Sequence, residues 1–175
     1  IAINLKNDDE LISVQTSSGT DEIIISTRMG QALRFNEDKV RAVGRNSMGV
    51  KGINLNKQDY VVSSEIIKDK NSQILTVTEN GFGKRTQIEK YRLTSRGGKG
   101  VATLKITDKT GEIVNAFQTD SESDIILLSS IGKATRLKAS DISIIGRATQ
   151  GVRLMKVNED IKVVAVAKIQ DKHGE

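Results

Sequence analysis

Arg96-Gly97-Gly98-Lys99-Gly100-Val101 sets two cations among three glycines, so the backbone there can turn tightly and approach a partner closely. Alone it says little, because basic Gly-rich turns occur in phosphate binders and in ordinary loops. Its meaning comes from what lies 51 residues to either side, Arg45 with Gly49-Val50 and Arg147 with Gly151-Val152. Gly30, Gly81 and Gly132 share that spacing. Counted from each of them, arginine returns at +4 (Arg34, Arg85, Arg136) and at +15 (Arg45, Arg96, Arg147). Glycine follows at +19 and valine at +20. Apolar residues hold +10 (Val40, Tyr91, Ile142), +23 (Ile53, Leu104, Met155) and +25 (Leu55, Ile106, Val157). A gapless internal repeat of this length marks an array of one supersecondary unit.

Each unit reads as four short strands. The first is an apolar, largely β-branched run stopped by glycine: Ile23-Ile24-Ile25, Ile74-Leu75-Thr76-Val77 and Ile125-Ile126-Leu127-Leu128. The second, such as Lys84–Ile88, puts the small +2 residue and the +4 arginine on one face. A basic loop leads to a third strand starting at the +20 valine. A turn then leads to the fourth, at Tyr60–Ile67, Glu112–Phe117 and Ile161–Ile169. No segment carries a sustained helical stripe, so almost no helix is expected. Ile3-Asn4-Leu5 matches Ile53-Asn54-Leu55, and Glu10–Val14 then stands as a fourth strand. The chain therefore reads as one all-β repeat domain over 1–175: a half repeat 1–20, repeats 21–71, 72–123 and 124–169, and a short tail 170–175. Starting in mid-repeat, it is expected to be a fragment of a longer array, with an exposed edge that favours an edge-mediated dimer or disorder near residues 1–16. Radially repeated four-stranded sheets are the pattern of propeller-like folds.

The net charge of +5 hides a polarised molecule. From +0 to +25 the three units hold 18 Lys/Arg against 4 Asp/Glu, and the rest of the chain holds 9 against 18. If the repeat is structural, the cations form a band along one side, which suits a polymer with regularly spaced phosphates. The candidate contacts are Arg34, Arg41, Arg45, Lys51, Lys84, Arg85, Arg92, Arg96, Lys99, Lys133, Arg136, Lys138, Arg147 and Arg153. Loop glycines Gly49, Gly97, Gly98, Gly100 and Gly151 would let backbone N–H groups join them. For the +4 arginines, pairing between blades is the competing role. Only Phe35, Phe82, Phe117, Tyr60 and Tyr91 are aromatic, and Tyr91 falls at a core position. Stacking on unpaired bases is thus disfavoured, and contact with a duplex backbone fits better.

Other chemistry is largely excluded. Cysteine is absent and the one histidine, His173, lies in the polar tail, leaving no thiolate or His-based metal site and no His triad. No catalytic residue, metal ligand or cofactor site is expected in this chain. No apolar run approaches a membrane span and no signal peptide opens the chain, so a cytoplasmic location without membrane contact is expected.

Three motifs resemble the C-terminal domain of the DNA gyrase A subunit family: Phe82-Gly83-Lys84-Arg85-Thr86, the run from Ser140 to Val152 (Ser140-Asp141-Ile142-Ser143-Ile144-Ile145-Gly146-Arg147-Ala148-Thr149-Gln150-Gly151-Val152), and Gly44-Arg45-Asn46-Ser47-Met48-Gly49-Val50. The resemblance covers nearly the whole chain. It implies a β-pinwheel with strands exchanged between neighbouring blades, of which this chain would be about three and a half blades of six. It further implies that double-stranded DNA wraps the basic perimeter and that the bacterial, nucleoid-associated parent, an ATP-dependent type II topoisomerase of gyrase A and gyrase B subunits (A2B2), introduces negative supercoils. ATP and Mg2+ would be used elsewhere in that parent. The family's box Gln-Arg-Arg-Gly-Gly-Lys/Arg-Gly is matched at five of seven positions by Thr94–Gly100, which reads as the degenerate corner of a later blade. Alternative readings are the C-terminal domain of the topoisomerase IV homologue of gyrase A, or a protein-interaction propeller similar to the chromatin-condensation regulator family.

Overall fold

The computed structural model describes residues 1–169; the expected tail 170–175 and His173 lie outside the described residues. Eleven strands form among them: β1 (Glu22–Thr27), β2 (Gln31–Asn36), β3 (Val61–Ile67), β4 (Gln73–Thr78), β5 (Phe82–Gln87), β6 (Val101–Ala102), β7 (Ile113–Thr119), β8 (Asp124–Ser129), β9 (Ala134–Lys138), β10 (Val152–Arg153) and β11 (Val163–Ile169). The only helical pieces among the described residues are three 3-10 turns, Glu37–Lys39, Ile88–Lys90 and Ala139–Asp141, each directly after the second strand of a unit. The chain is all-β, as the repeat pattern implies.

All three sheets are antiparallel, ordered β3-β1-β2-β6, β10-β5-β4-β7 and β11-β8-β9. Each is built on a hairpin whose tight turn carries the +0 glycine in left-handed backbone, at φ +88°, +77° and +80° for Gly30, Gly81 and Gly132. Hairpin register is the same each time: Ile24 faces Arg34, Leu75 faces Arg85 and Ile126 faces Arg136. The third strand of a unit does not stay with its own hairpin. β6 pairs with β2, and β10 with β5, so each is donated to the preceding blade. Strand exchange between neighbours is therefore present twice.

Two of the hydrophobic clusters lie between blades. Ile24, Ala32 and Ile67 of the first blade pack with Ile74, Ile88, Tyr91 and Ala116 of the second unit. Leu75, Val77 and Phe117 of the second pack with Ile125, Leu127, Ile142, Met155 and Val166 of the third. A blade so small cannot bury both faces alone, so each acquires its core from its neighbour. Tyr91 holds its expected core position, 1% exposed, with its hydroxyl 2.6 Å from Thr103 Oγ1.

Two sequence expectations fail. No strand starts at Val50, the +20 valine of the first unit, although strands start at Val101 and Val152. Residues 1–20 contain no strand, and Glu10–Val14 is exposed throughout. A fourth strand is stable when a first strand lies beside it, as β1 lies beside β3; among the described residues no hairpin flanks Glu10–Val14 in that way. Gln15 is the main tether, its amide accepting from Ile66 N at 3.0 Å and donating to Ser64 O at 2.8 Å.

Candidate nucleic-acid interface

The corner loops 44–50, 95–101 and 146–152 follow the 3-10 turns, and a repeated set of contacts fixes their spacing. The +17 carbonyl of each corner accepts an N–H from the unit before it: Asn4 to Ser47 O at 3.0 Å, Asn54 to Gly98 O at 2.8 Å, Lys105 to Thr149 O at 3.0 Å. The +15 arginine reaches back in the same sense. Arg147 donates to Ala102 O at 2.9 Å, and Arg96 donates to Lys51 O and to Lys39 O. The second and third corners are thereby clamped to the one before them.

The loop glycines serve the same stacking. Gly49, Gly100 and Gly151 have φ of +74°, +79° and +77°. A Cβ on Gly100 or Gly151 would lie 2.5 Å from the carbonyl oxygen of Ala32 or Gly83, respectively, on the preceding blade. Gly97, at φ +81°, spends its N–H on Gly52 O at 2.7 Å, so that amide is engaged within the protein; Gly98 is exposed. Close approach of chain to chain accounts for glycine at 100 and 151, whereas at Gly49 it is the left-handed backbone alone that favours glycine.

The candidate cations divide into two groups. Arg34 donates to Glu22 at 2.6 Å and to the carbonyls of Ile88 and Tyr91, both at 3.0 Å. Burial pushes the Glu22 carboxyl up, but Lys70 and Arg34 outweigh it and hold it below the ordinary carboxylate value. Arg85 is 5% exposed and donates to Ile142 O at 2.9 Å and Gln73 Oε1 at 3.1 Å. For Arg34 and Arg85 the structure thus favours the blade-to-blade role over outward contact. Arg136 is exposed and paired with Asp124, which also takes Lys138 at 3.1 Å. Lys84 departs most from the sequence reading. It is fully buried, and its ammonium donates to Gly146 O, Arg147 O and Thr149 Oγ1, holding the next corner from inside. Burial, with Arg147 adding, pushes its pKa down to about 8. A side chain with all its donors turned inward cannot also meet a surface ligand, so Lys84 is a brace rather than a contact.

The second group faces out. Arg41, Arg45, Lys51, Arg92, Lys99, Lys133, Lys138 and Arg153 are exposed, and Arg96 and Arg147 are half-buried on their clamps. Arg153 stacks on the Phe82 ring, 5.1 Å from its centre. Lys105 and Lys156, both at +24, are exposed as well and belong with this group; their recurrence within the basic windows was the available signal. Tyr60 is half exposed, beneath Arg28 at 5.4 Å, while Phe35, Phe82 and Phe117 are buried. The three phenylalanines thus offer no exposed platform for stacking an unpaired base. Among the described residues no cluster of three or more His, Cys, Asp or Glu could hold a metal ion, and no helix is long and apolar enough to cross a membrane.

Comparison with known proteins gives a consistent picture. The family model "DNA gyrase C-terminal domain, beta-propeller" matches residues 1–18, 21–68, 72–120 and 123–170. The DNA gyrase A subunit of Staphylococcus epidermidis is 44% identical over 172 residues, 98% of this chain and 19% of that protein. Its counterpart from Salmonella typhimurium is 43% identical over 171 residues, with the same coverage. This chain thus spans about a fifth of the length of these relatives. Among solved structures, a DNA topoisomerase IV C-terminal domain superposes with TM-score 0.92 at 30% identity, covering 97% of this chain and 53% of that one. A DNA gyrase A C-terminal domain gives TM-score 0.89 at 30% identity, covering 97% and 58%.

Proposed function

The chain belongs to the DNA gyrase C-terminal domain family of β-propellers, and we propose from this that it binds and bends duplex DNA as a non-catalytic module of a gyrase A subunit. The observation that carries this reading is the set of exposed cations recurring at corners clamped one to the next at 51-residue spacing. Phosphates are regularly spaced and carry no sequence information, so a ladder of Lys and Arg at fixed intervals binds the backbone and sets its path. DNA following successive corners must curve, and the additional phosphate contacts offset the bending cost. Within the parent, such bending would support ATP-dependent negative supercoiling together with the rest of gyrase A and with gyrase B in the bacterial cytoplasm. ATP and Mg2+ chemistry would be carried by segments other than this one.

Two measurements test the reading. Affinity for duplex DNA is expected to fall steeply with salt, by a slope of about −0.9 in log K against log salt for each phosphate neutralised, with little sequence preference. Equal binding at low and high salt would refute it. A topology assay of the parent enzyme with and without this segment should show loss of negative supercoiling without it.

The close superposition with a topoisomerase IV C-terminal domain supports a second reading, in which the parent is that enzyme and the module bends DNA without a supercoiling outcome. The same assay separates the two, since that reading leaves relaxation intact and gives no negative supercoils in either form.

A further inference from the structure

Three consecutive residues of β5 carry the third corner. The Arg85 N–H donates to Ser143 O at 3.0 Å and the Arg85 carbonyl accepts from Ile145 N at 2.9 Å. The Thr86 hydroxyl donates to Ile145 O at 2.9 Å. Lys84, fully buried, directs its ammonium to Gly146 O, Arg147 O and Thr149 Oγ1, the last at 3.0 Å. Thr149 Oγ1 in turn donates to Gly146 O at 3.0 Å, which closes the loop on itself. The three donors of one ammonium thus meet three acceptors within one short loop.

The second corner keeps the arginine tie and lacks the rest. Arg34 O accepts from Thr94 N at 2.9 Å, and the Arg34 guanidinium holds Tyr91 O. At the places of Lys84, Thr86 and Thr149, 51 residues earlier, stand Leu33, Phe35 and Gly98, none with a polar side-chain atom. A cavity of about 310 Å³ opens there, with Leu33, Ser95, Gly98 and Lys99 in its wall. Leu33, Ser95 and Gly98 are the repeat equivalents of Lys84, Gly146 and Thr149, so the cavity lies where the lysine brace runs in the third corner. The lysine and its threonine acceptor occur together in one corner and are both missing from the other.

We propose that Lys84 is a positioning residue for duplex binding: with Thr149 it fixes the third corner before DNA arrives, whereas the second corner, hollow beneath, tightens as DNA binds. This rests on the reading of the chain as a DNA-bending module. Lys84 itself meets no phosphate. It holds the peptide carbonyls on either side of the Arg147 α-carbon, so the loop that presents Arg147 and leads into Arg153 is already ordered. The entropy of ordering that loop is then lost on folding rather than on binding. The phosphates contacted are the same with or without the brace, so its removal lowers affinity at constant salt slope. Removing a side chain that touches phosphate changes both.

The test compares the 175-residue chain with Lys84→Met, Thr149→Val and the double variant. Duplex affinity is read by fluorescence anisotropy over a range of salt. Limited trypsin digestion without DNA compares cleavage after Arg147 with cleavage after Arg96. Lys84→Met is expected to bind about tenfold more weakly, with its salt slope unchanged, and to be cut faster after Arg147 but not after Arg96. Thr149 is exposed, so Thr149→Val retains the fold even where Lys84→Met loses it. It is expected to show the same pattern in smaller degree, and the double variant to bind no more weakly than Lys84→Met, because the two residues act through one contact. Unchanged affinity, a reduced slope, or equal acceleration of both cleavages would overturn the proposal. Absence of salt-dependent duplex binding by the natural chain would overturn the DNA reading and the proposal with it. Selective cleavage after Arg147, read without DNA, separates that result from a failure of the brace alone.

Discussion

Arg147 donates from Nη1 to the carbonyl oxygen of Ala102 at 2.9 Å, across the gap between the third corner and the second. Arg96 stands in the same relation to Lys51. The +15 arginines therefore set the distance between corners as well as carrying charge. Arg147→Lys keeps the charge but loses the planar fork that reaches this carbonyl. It should lower unfolding stability by about 1 kcal/mol, measured by urea denaturation. An unchanged midpoint would remove the clamp from the account.

Lys84 links stability to pH. Its pKa lies near 8 in the folded chain against an ordinary 10.5. Between those values the unfolded chain holds a proton that the folded chain has given up, so the Lys84 contribution to stability rises with pH across that window. The difference in unfolding free energy between the natural chain and Lys84→Met should shift in favour of the natural chain from pH 8 upward. A difference that stays flat would mean that the ammonium keeps its proton.

Gly81 and Gly132 share a left-handed φ but not a neighbourhood. Gly132→Ala meets open space and should cost about 1 kcal/mol, from backbone strain alone. Gly81→Ala drives a methyl into the Met155 carbonyl and should cost about 3 kcal/mol. Equal costs in thermal or urea unfolding would show that the donated strand does not cover Gly81 in solution.

DNA binding should separate the outward cations from the inward ones. Lys99→Ala and Arg92→Ala should each reduce the salt slope of duplex binding by about 0.9 if that side chain meets one phosphate. Lys84→Met should leave the slope unchanged. Neutralising Arg96 and Lys99 together should weaken binding only in part, because the corners at Arg45 and Arg147 remain. Fluorescence anisotropy over a range of salt reads all of these, and complete loss in the double variant would make 96–100 the principal site.

Much of the fold is legible because a repeat prints the same constraint three times. The +0 glycine, the small +2 residue and the +4 arginine mark the hairpin turn, the covered strand and the blade-to-blade tie. Lys84 shows where that reading stops. Within the basic window it looks like any other cation, and Lys133, two positions earlier in its own unit, is exposed. Period-two alternation assigns Lys84 a face; whether another strand or solvent lies over that face depends on the next unit. Residues 10–14 show a second limit, since their pattern suits a strand but pairing needs a neighbour.

Residue type and spacing were enough to establish the all-β repeat, the hairpin positions, the core role of Tyr91 and the segregation of charge, because each is a local pattern. Which cations face outward was settled in three dimensions, by the carbonyls and carboxylates that the adjoining blade presents. Arg34, Lys84 and Arg85 are drawn inward by such groups, while Lys99 and Arg92 meet none among the described residues and are exposed. Burial of a charge is a property of two blades together, and neither one's sequence states it alone.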